Sequence, residues 1–473
     1  MKWGFSASQL GRVFAASGAL AAVALSAPGT HAQTLEHALA AAYQNNPGLL
    51  AERARTRATD EAVPQALANW RPSVTVTGNG SRVYTETDSR TGDSSAKRTS
   101  TSLGLSVAEN VFQGFRTVNS TRKAENQVLA QRQSLLGVEQ NTLLSAATAF
   151  MDVVRDQAVL ELNINNEQVL RRQLEAAQDR FRVGEITRTD VSQAEARLAG
   201  ATADRVQAEG TLEASRAQYL NVIGEAPGKL ASPKAITDIP DNRATAIERA
   251  RSNHPNVLAA EFTEAAGFDD VHRVNGERLP SVDLAGSVNR NYQALSNDVT
   301  TVSGSVGLTV TVPLYQKGDV FSRLRAARQT AAQLRSNVDN AKRAEARSAT
   351  SAWETLVSVR ARIKSLRAQI QAAEIALEGV KREAEVGSRT VLDVLDAEQE
   401  LLNAKVNLVR SERDEVVTSY SLKEAMGELT ARNLRLPVEI YDPIEHYNEV
   451  RDKAFGGTSS GDVSPPSSFP GGK

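Results

Sequence analysis

Asp393 and Asp396 stand three residues apart in Val386-Gly387-Ser388-Arg389-Thr390-Val391-Leu392-Asp393-Val394-Leu395-Asp396-Ala397, with Arg389 just ahead of them. On a helix that spacing puts both carboxylates on one face, and in a first turn the helix dipole favours them. Two carboxylates could do acid–base chemistry if an apolar pocket split their pKa values. Nothing around them suggests such a pocket, so the pair reads as a charged face and not as a catalytic dyad. Other routes to chemistry close sooner. Cysteine is absent, which removes disulfides, thiolate catalysis, cysteine-bound metals and a lipoprotein anchor. His31, His37, His254, His272 and His446 each stand alone, with no second ligand at metal spacing. Gly224-Glu225-Ala226-Pro227-Gly228-Lys229 has the look of a phosphate loop, but it is one residue short and runs into Leu230, so it reads as a helix end and loop. The 55 basic and 56 acidic residues leave a net charge of -1 and no basic field for nucleic acid. The chain is therefore expected to be no enzyme, with no metal site and no cofactor.

The segment around Asp393 has a partner earlier in the chain. Val183-Gly184-Glu185-Ile186-Thr187-Arg188-Thr189-Asp190-Val191 precedes it by 203 residues, and the same offset carries Phe112-Gln113 to Tyr315-Gln316 and Gly224-Glu225 to Gly427-Glu428. An offset of 208 carries Asn46-Pro47 to His254-Pro255 and Pro72-Ser73-Val74 to Pro280-Ser281-Val282. Chance matches would not hold one register, so the chain reads as a tandem duplication. The change of offset falls between 86–98 and the shorter 294–301, which marks an exposed loop.

Each half repeats one order of elements. A helix over 35–69, copied at 244–277, stops at a proline. Two strands follow, at about 72–85 and 100–113 in the first half and 280–293 and 302–315 in the second. Val74, Val76, Leu103, Leu105, Val107 and Val111 oppose Ser, Thr and Asn; Val282, Leu284, Val288, Val302, Val306, Leu308, Val310, Val312 and Leu314 do the same. Then come helices over 115–181 and 319–384, each ~67 residues and on the order of 100 Å long. Leu129, Leu136, Leu143 and Phe150, and Leu356, Ile363, Ile370 and Leu377, mark coiled-coil seams. The return helices carry Val191, Leu198, Leu212 and Tyr219, and Leu395, Leu402, Val409 and Val416, at the same spacing. They are half as long, so a first helix and a return helix stacked end to end would cover one long helix.

Gly184 and Gly387 fit the C-terminal caps of the long helices, and Thr187 or Thr189 and Thr390 fit the N-caps of the return helices. Strands with one Ser/Thr/Asn face and one bare Val/Leu face suit a membrane barrel, polar inside and apolar outside. Four strands cannot close one, and open edges in lipid cost several kcal/mol per unpaired group, so the chain is expected to oligomerise. Residues 1–32 read as a secretory signal cut after Ala32. The halves then occupy 33–240 and 241–452, and 453–473 reads as a disordered Gly/Ser/Pro tail.

The duplicated layout and the two turn segments resemble the TolC-like outer-membrane channels of type I secretion and drug efflux, over about 35–450. The resemblance implies a homotrimer of mixed α and β structure: a 12-stranded β-barrel in outer-membrane lipid, continued by a long α-helical coiled-coil barrel through the periplasm. It implies an exit duct for an inner-membrane ABC or other pump and its periplasmic adaptor, in type I secretion or alternatively in multidrug efflux. Residues 225–243 and 431–452 would form an equatorial belt. Val183, Gly184, Val386 and Gly387 would mark adaptor-contacting tips. Asp393 and Asp396 would line the pore mouth, and Arg389 would bond the Thr189/Asp190 region of the neighbouring hairpin as a periplasmic gate. The family's tyrosine partner in that gate falls at Ala384. A structural periplasmic coiled-coil protein is the rival reading, which the polar-faced strands disfavour.

Overall fold

The computed structural model describes residues 33–293 and 299–462; the expected signal, 1–32, lies outside the described residues. In chain order the elements are α1 (Leu35–Asn45), α2 (Pro47–Asp60), α3 (Ala62–Leu67), β1 (Ser73–Thr87), β2 (Ser94–Gln113), α4 (Arg116–Arg182), α5 (Arg188–Ile223), α6 (Arg243–Asn253), α7 (Pro255–Gly276), β3 (Ser281–Tyr292), β4 (Thr300–Thr311), α8 (Asp319–Glu385), α9 (Val391–Ala425) and α10 (Pro443–Val450). Both halves thus run short helices, a β-hairpin, a 67-residue helix and a returning helix.

The first helix of each half is not continuous as expected. It breaks at Asn46-Pro47, again at Glu61 in the first half, and at His254-Pro255 in the second. Proline supplies no amide to continue the ladder and sits instead at the first position of a new helix. Asn46 caps that helix by accepting from the amides of Gly48 and Leu49 at 3.0 and 3.2 Å. His254 does the same through Nδ1, accepting from the Asn256 amide at 3.2 Å.

These breaks are also joints. Asn46 Nδ2 donates to the carbonyl of Val222 at the end of α5, at 3.0 Å. At the matching joint Gly427, with φ +78°, follows the end of α9 so closely that a Cβ there would lie 2.8 Å from the Asn253 carbonyl oxygen. Short and return helices meet here: α1 packs on α5 along α4, and α6 meets the end of α9 along α8 through Ala246, Ala250, Leu422 and Met426. Helix α7 also packs on α4, which ties the halves together. The largest core, with Leu39, Tyr43, Leu143, Phe150, Tyr219, Ile223 and Leu429, sits at this level. Leu143, Phe150 and Tyr219 are buried as their heptads predict, whereas Leu129 and Leu136 are half-buried. Toward the tips the core thins to a small group around Leu170, Ala201 and Leu395.

The strands form one open antiparallel sheet in the order β1-β2-β3-β4, with β1 and β4 as edges. The loop expected at 86–98 shrinks to 88–93, because β1 reaches Thr87 and β2 starts at Ser94. Strand β4 ends at Thr311 and not near 315; Pro313 cannot donate to a ladder, so Val312 and Leu314 leave the alternation. A bulge between Asn110 and Phe112 displaces Val111 and sets Phe112 opposite Val282. Residues 453–462, expected to be disordered, fold back on α10: the Ser460 amide donates to Glu449 at 3.1 Å, and His446 Nε2 lies 3.4 Å from Ser459 Oγ. The rest of the expected tail, 463–473, lies outside the described residues.

Candidate functional site at the hairpin tips

Each long helix turns into its return helix through one backbone device used twice. The Gly184 amide donates to the Phe181 carbonyl and the Glu185 amide to that of Arg180, at 3.0 and 2.9 Å. Gly387 and Ser388 repeat this onto Ala384 and Glu383, at 3.2 and 2.9 Å. Both are Schellman caps, and both glycines take the left-handed φ that the motif requires, +81° and +80°.

A capping box opens each return helix. Asp190 accepts from the Thr187 amide at 2.8 Å while its own amide donates to Thr187 Oγ1 at 3.3 Å. Thr390 and Asp393 repeat the arrangement at 2.9 and 3.3 Å. Thr187, not Thr189, is therefore the first cap, and Thr189 is left exposed. The hydrogen bonds from Thr390, backbone first, and the nearby Arg389 charge hold the Asp393 carboxyl below its ordinary pKa.

The charged residues diverge from the expected pattern. Asp393 is turned back on Thr390, so it does not form one open carboxylate face with Asp396. Asp396 reaches instead to Arg197 of α5 at 2.5 Å and links the two hairpins of the chain. Arg389 does not bond the Thr189/Asp190 region within the chain; its Nε donates to Glu383 of its own hairpin at 2.9 Å. That bond is the largest cause holding the Arg389 pKa above the ordinary guanidinium value. Ala384 is buried and offers no hydroxyl where the resemblance implies one. Val183, Val386 and the two glycines stand exposed at the extreme end.

Behind the tips, Lys381 pairs with the buried Glu398 at 2.8 Å. Further up, Arg155 bonds Asp152 and Asp156 at 2.7 Å, and Arg413 of α9 bonds Asp152 at 2.9 Å. Glu383, Arg197 and Lys381 were not singled out from sequence. Glu383 lies six residues from Arg389 across a glycine turn, a spacing that could have pointed to it. The Arg197–Asp396 pair spans 199 residues and leaves no local signal.

Two paired long helical hairpins hung from an open sheet with a Val/Leu face form the architecture of a membrane-channel protein. The outer membrane efflux protein family model matches residues 38–225 and 246–428, one segment in each half. The chain is 36% identical over 443 residues to the outer membrane efflux protein BepC of Brucella suis biovar 1, covering 93% of this chain and 96% of that protein. It is 28% identical to the outer membrane protein TolC of Vibrio cholerae, covering 83% and 90%. Its fold matches the Campylobacter jejuni CmeC outer membrane channel with a TM-score of 0.77 at 16% identity, covering 88% and 89%. The chain belongs to the outer membrane efflux protein family. It is an outer-membrane protein with a periplasmic portion.

Proposed function

We propose that three copies close a 12-stranded barrel and form the outer-membrane exit duct of a tripartite exporter, fed by an inner-membrane pump through a periplasmic adaptor. The open sheet carries this reading. Its edge strands β1 and β4 lack a second neighbour, and Val74, Val76, Val306 and Leu308 on its apolar face are 64%, 67%, 83% and 63% exposed. Neighbouring copies would pair the edges, and lipid would cover the face.

In this duct the tips are the gate. Arg389, released from Glu383, would reach Thr189 and Asp190 of an adjacent hairpin, and Asp396 with Asp393 would set the charge of the mouth. Val183, Gly184, Val386 and Gly387 would meet the adaptor. Type I secretion is the first reading of the cargo, supported by relatives named proteases secretion protein PrtF, 28% identical, and alkaline protease secretion protein AprF, 21% identical. The second reading, efflux of small toxic compounds, is favoured by the 36% identity to a protein named for efflux.

Deleting the gene and measuring both secreted protein and drug susceptibility tests the proposal. Loss of either, restored by the intact chain, is expected; a deletion that changes neither would overturn it.

A further inference from the structure

The two β-hairpins differ in reach. β1 pairs with β2 from Ser73↔Ala108 out to Thr87↔Ser94, whereas β3 leaves β2 at Tyr292↔Thr101. Residues 81–87 and 94–100 therefore project beyond the paired strands β3 and β4, at the end of the sheet opposite the helices.

The apolar face changes character along this projection. Strict alternation carries the face of Val74 and Val76 through Gly78 and Gly80 to Arg82, Tyr84 and Glu86. Lys97 is paired directly opposite Tyr84, and its Nζ lies 5.6 Å from that ring centre. On β3 the face of Val282, Leu284 and Val288 ends in Arg290 and Tyr292, with the Arg290 guanidinium 4.8 Å from the ring centre. Arg82, Lys97 and Arg290 are all exposed.

Val282 to Arg290 spans about 27 Å of strand, and a tilt of ~40° lowers that to about 21 Å, close to the apolar height of an outer-membrane barrel. Arg290 and Tyr292 thus lie where the hydrocarbon ends on the outer side, and Arg82, Tyr84 and Lys97, which the register sets four to six residues further along the strands than Arg290, stand beyond it in the headgroup region, all on the face that meets lipid and not the lumen. Tyrosine suits that boundary, apolar in its ring and wet at its hydroxyl. The single acid on the same stretch, Glu86, lies one pair further out and accepts from Tyr84 at 3.2 Å.

We propose that Arg82, Lys97 and Arg290, set beside Tyr84 and Tyr292, bind the phosphate groups of the phosphorylated glycolipid that forms the outer leaflet of this membrane. Guanidinium groups bond phosphate oxygens two at a time, and cations near an anionic lipid surface add their contributions. The proposal rests on the barrel reading, which decides that this face meets lipid.

The test uses the full chain purified in detergent, loaded with lipopolysaccharide, exchanged into fresh detergent and weighed by native mass spectrometry. The parent should retain lipopolysaccharide. Arg82→Ser with Lys97→Ser and Arg290→Ser should retain about tenfold less. Arg82→Lys with Arg290→Lys should keep most of it, and dephosphorylated lipopolysaccharide should be held no better by the parent than by the serine variant. Equal retention by parent and serine variant, with the protein still extracted only by detergent, would overturn this proposal and leave the barrel reading standing. Release of the parent from membranes without detergent would overturn both.

Discussion

At the first tip Arg180 faces Glu185, 3.0 Å apart; at the second, Glu383 occupies the place of Arg180, 203 residues on, and bonds Arg389 at 2.9 Å. The turns have the same hydrogen bonds, the same left-handed glycine and the same Thr/Asp capping box. Charge is inverted on a fixed backbone. The turn is held by backbone amides and two cap residues, which leaves the other side chains free to differ. A trimer would then alternate two kinds of tip around its mouth, and only the second places an arginine on the turn itself.

The joints provide a second contrast. Gly387 needs only its φ, since nothing lies within 4 Å of a Cβ added there, whereas Gly427 needs its φ and the space against Asn253 and His254. Gly427→Ala should therefore destabilise the protein by about 3 kcal/mol or more, and Gly387→Ala by ~1–2 kcal/mol. Thermal unfolding in detergent measures both; equal losses would show that the joint is looser than described.

The inverted charges yield the next expectation. Arg389→Ser should raise single-channel conductance severalfold and sensitise cells to large antibiotics, while Arg180→Ser should do neither. Glu383→Arg with Arg389→Glu keeps an ion pair within the hairpin but not the cation on the turn, so it should conduct like Arg389→Ser. A swap that conducts like the parent would place the closing force within the hairpin.

The tip and the α2–α4 contact should also respond to pH with opposite sign. Asp393 has a lowered pKa, so its contribution is present above the ordinary value near ~4 and is lost as pH falls through the folded value. Asp60, against His446 of α10, and Glu139, against the Ala431 amide, are raised chiefly by burial, so their contribution is complete below ~4 and fades as pH rises through their folded values. Hydrogen exchange, corrected for intrinsic rates, should show the start of α9 opening between about pH 5 and 3. Over the same range the α2–α4 contact should gain protection. Parallel changes would contradict these assignments.

The smallest effect belongs to Arg197 and Asp396. The pair is 41% and 57% exposed, so a double-mutant cycle should return about 0.5 kcal/mol or less. A larger coupling would make it a principal tie between the hairpins.

Much of this was legible in sequence because period and punctuation are local. The 67-residue helices ended within a residue of expectation, since Val-Gly turns and heptads both mark their limits. The breaks at Pro47 and Pro255 are visible as a repeated signature, yet the helical pattern on either side conceals that one helix ends there and another begins. The bulge at Val111 shifts a register that alternation alone would continue. Side-chain partners were the least legible part. Asp393 serves its own helix, Arg389 bonds Glu383 across its own glycine turn, and Asp396 bonds Arg197, whose proximity only the folded hairpins decide.

In the proposed trimer one chain supplies a third of the barrel. The mass of the intact protein in mild detergent tests it most directly. Three copies per particle are expected, stable on dilution and unchanged by Arg389→Ser, because the proposed barrel closes through the strand edges and not at the tips. A stable, monodisperse single chain in detergent would contradict it.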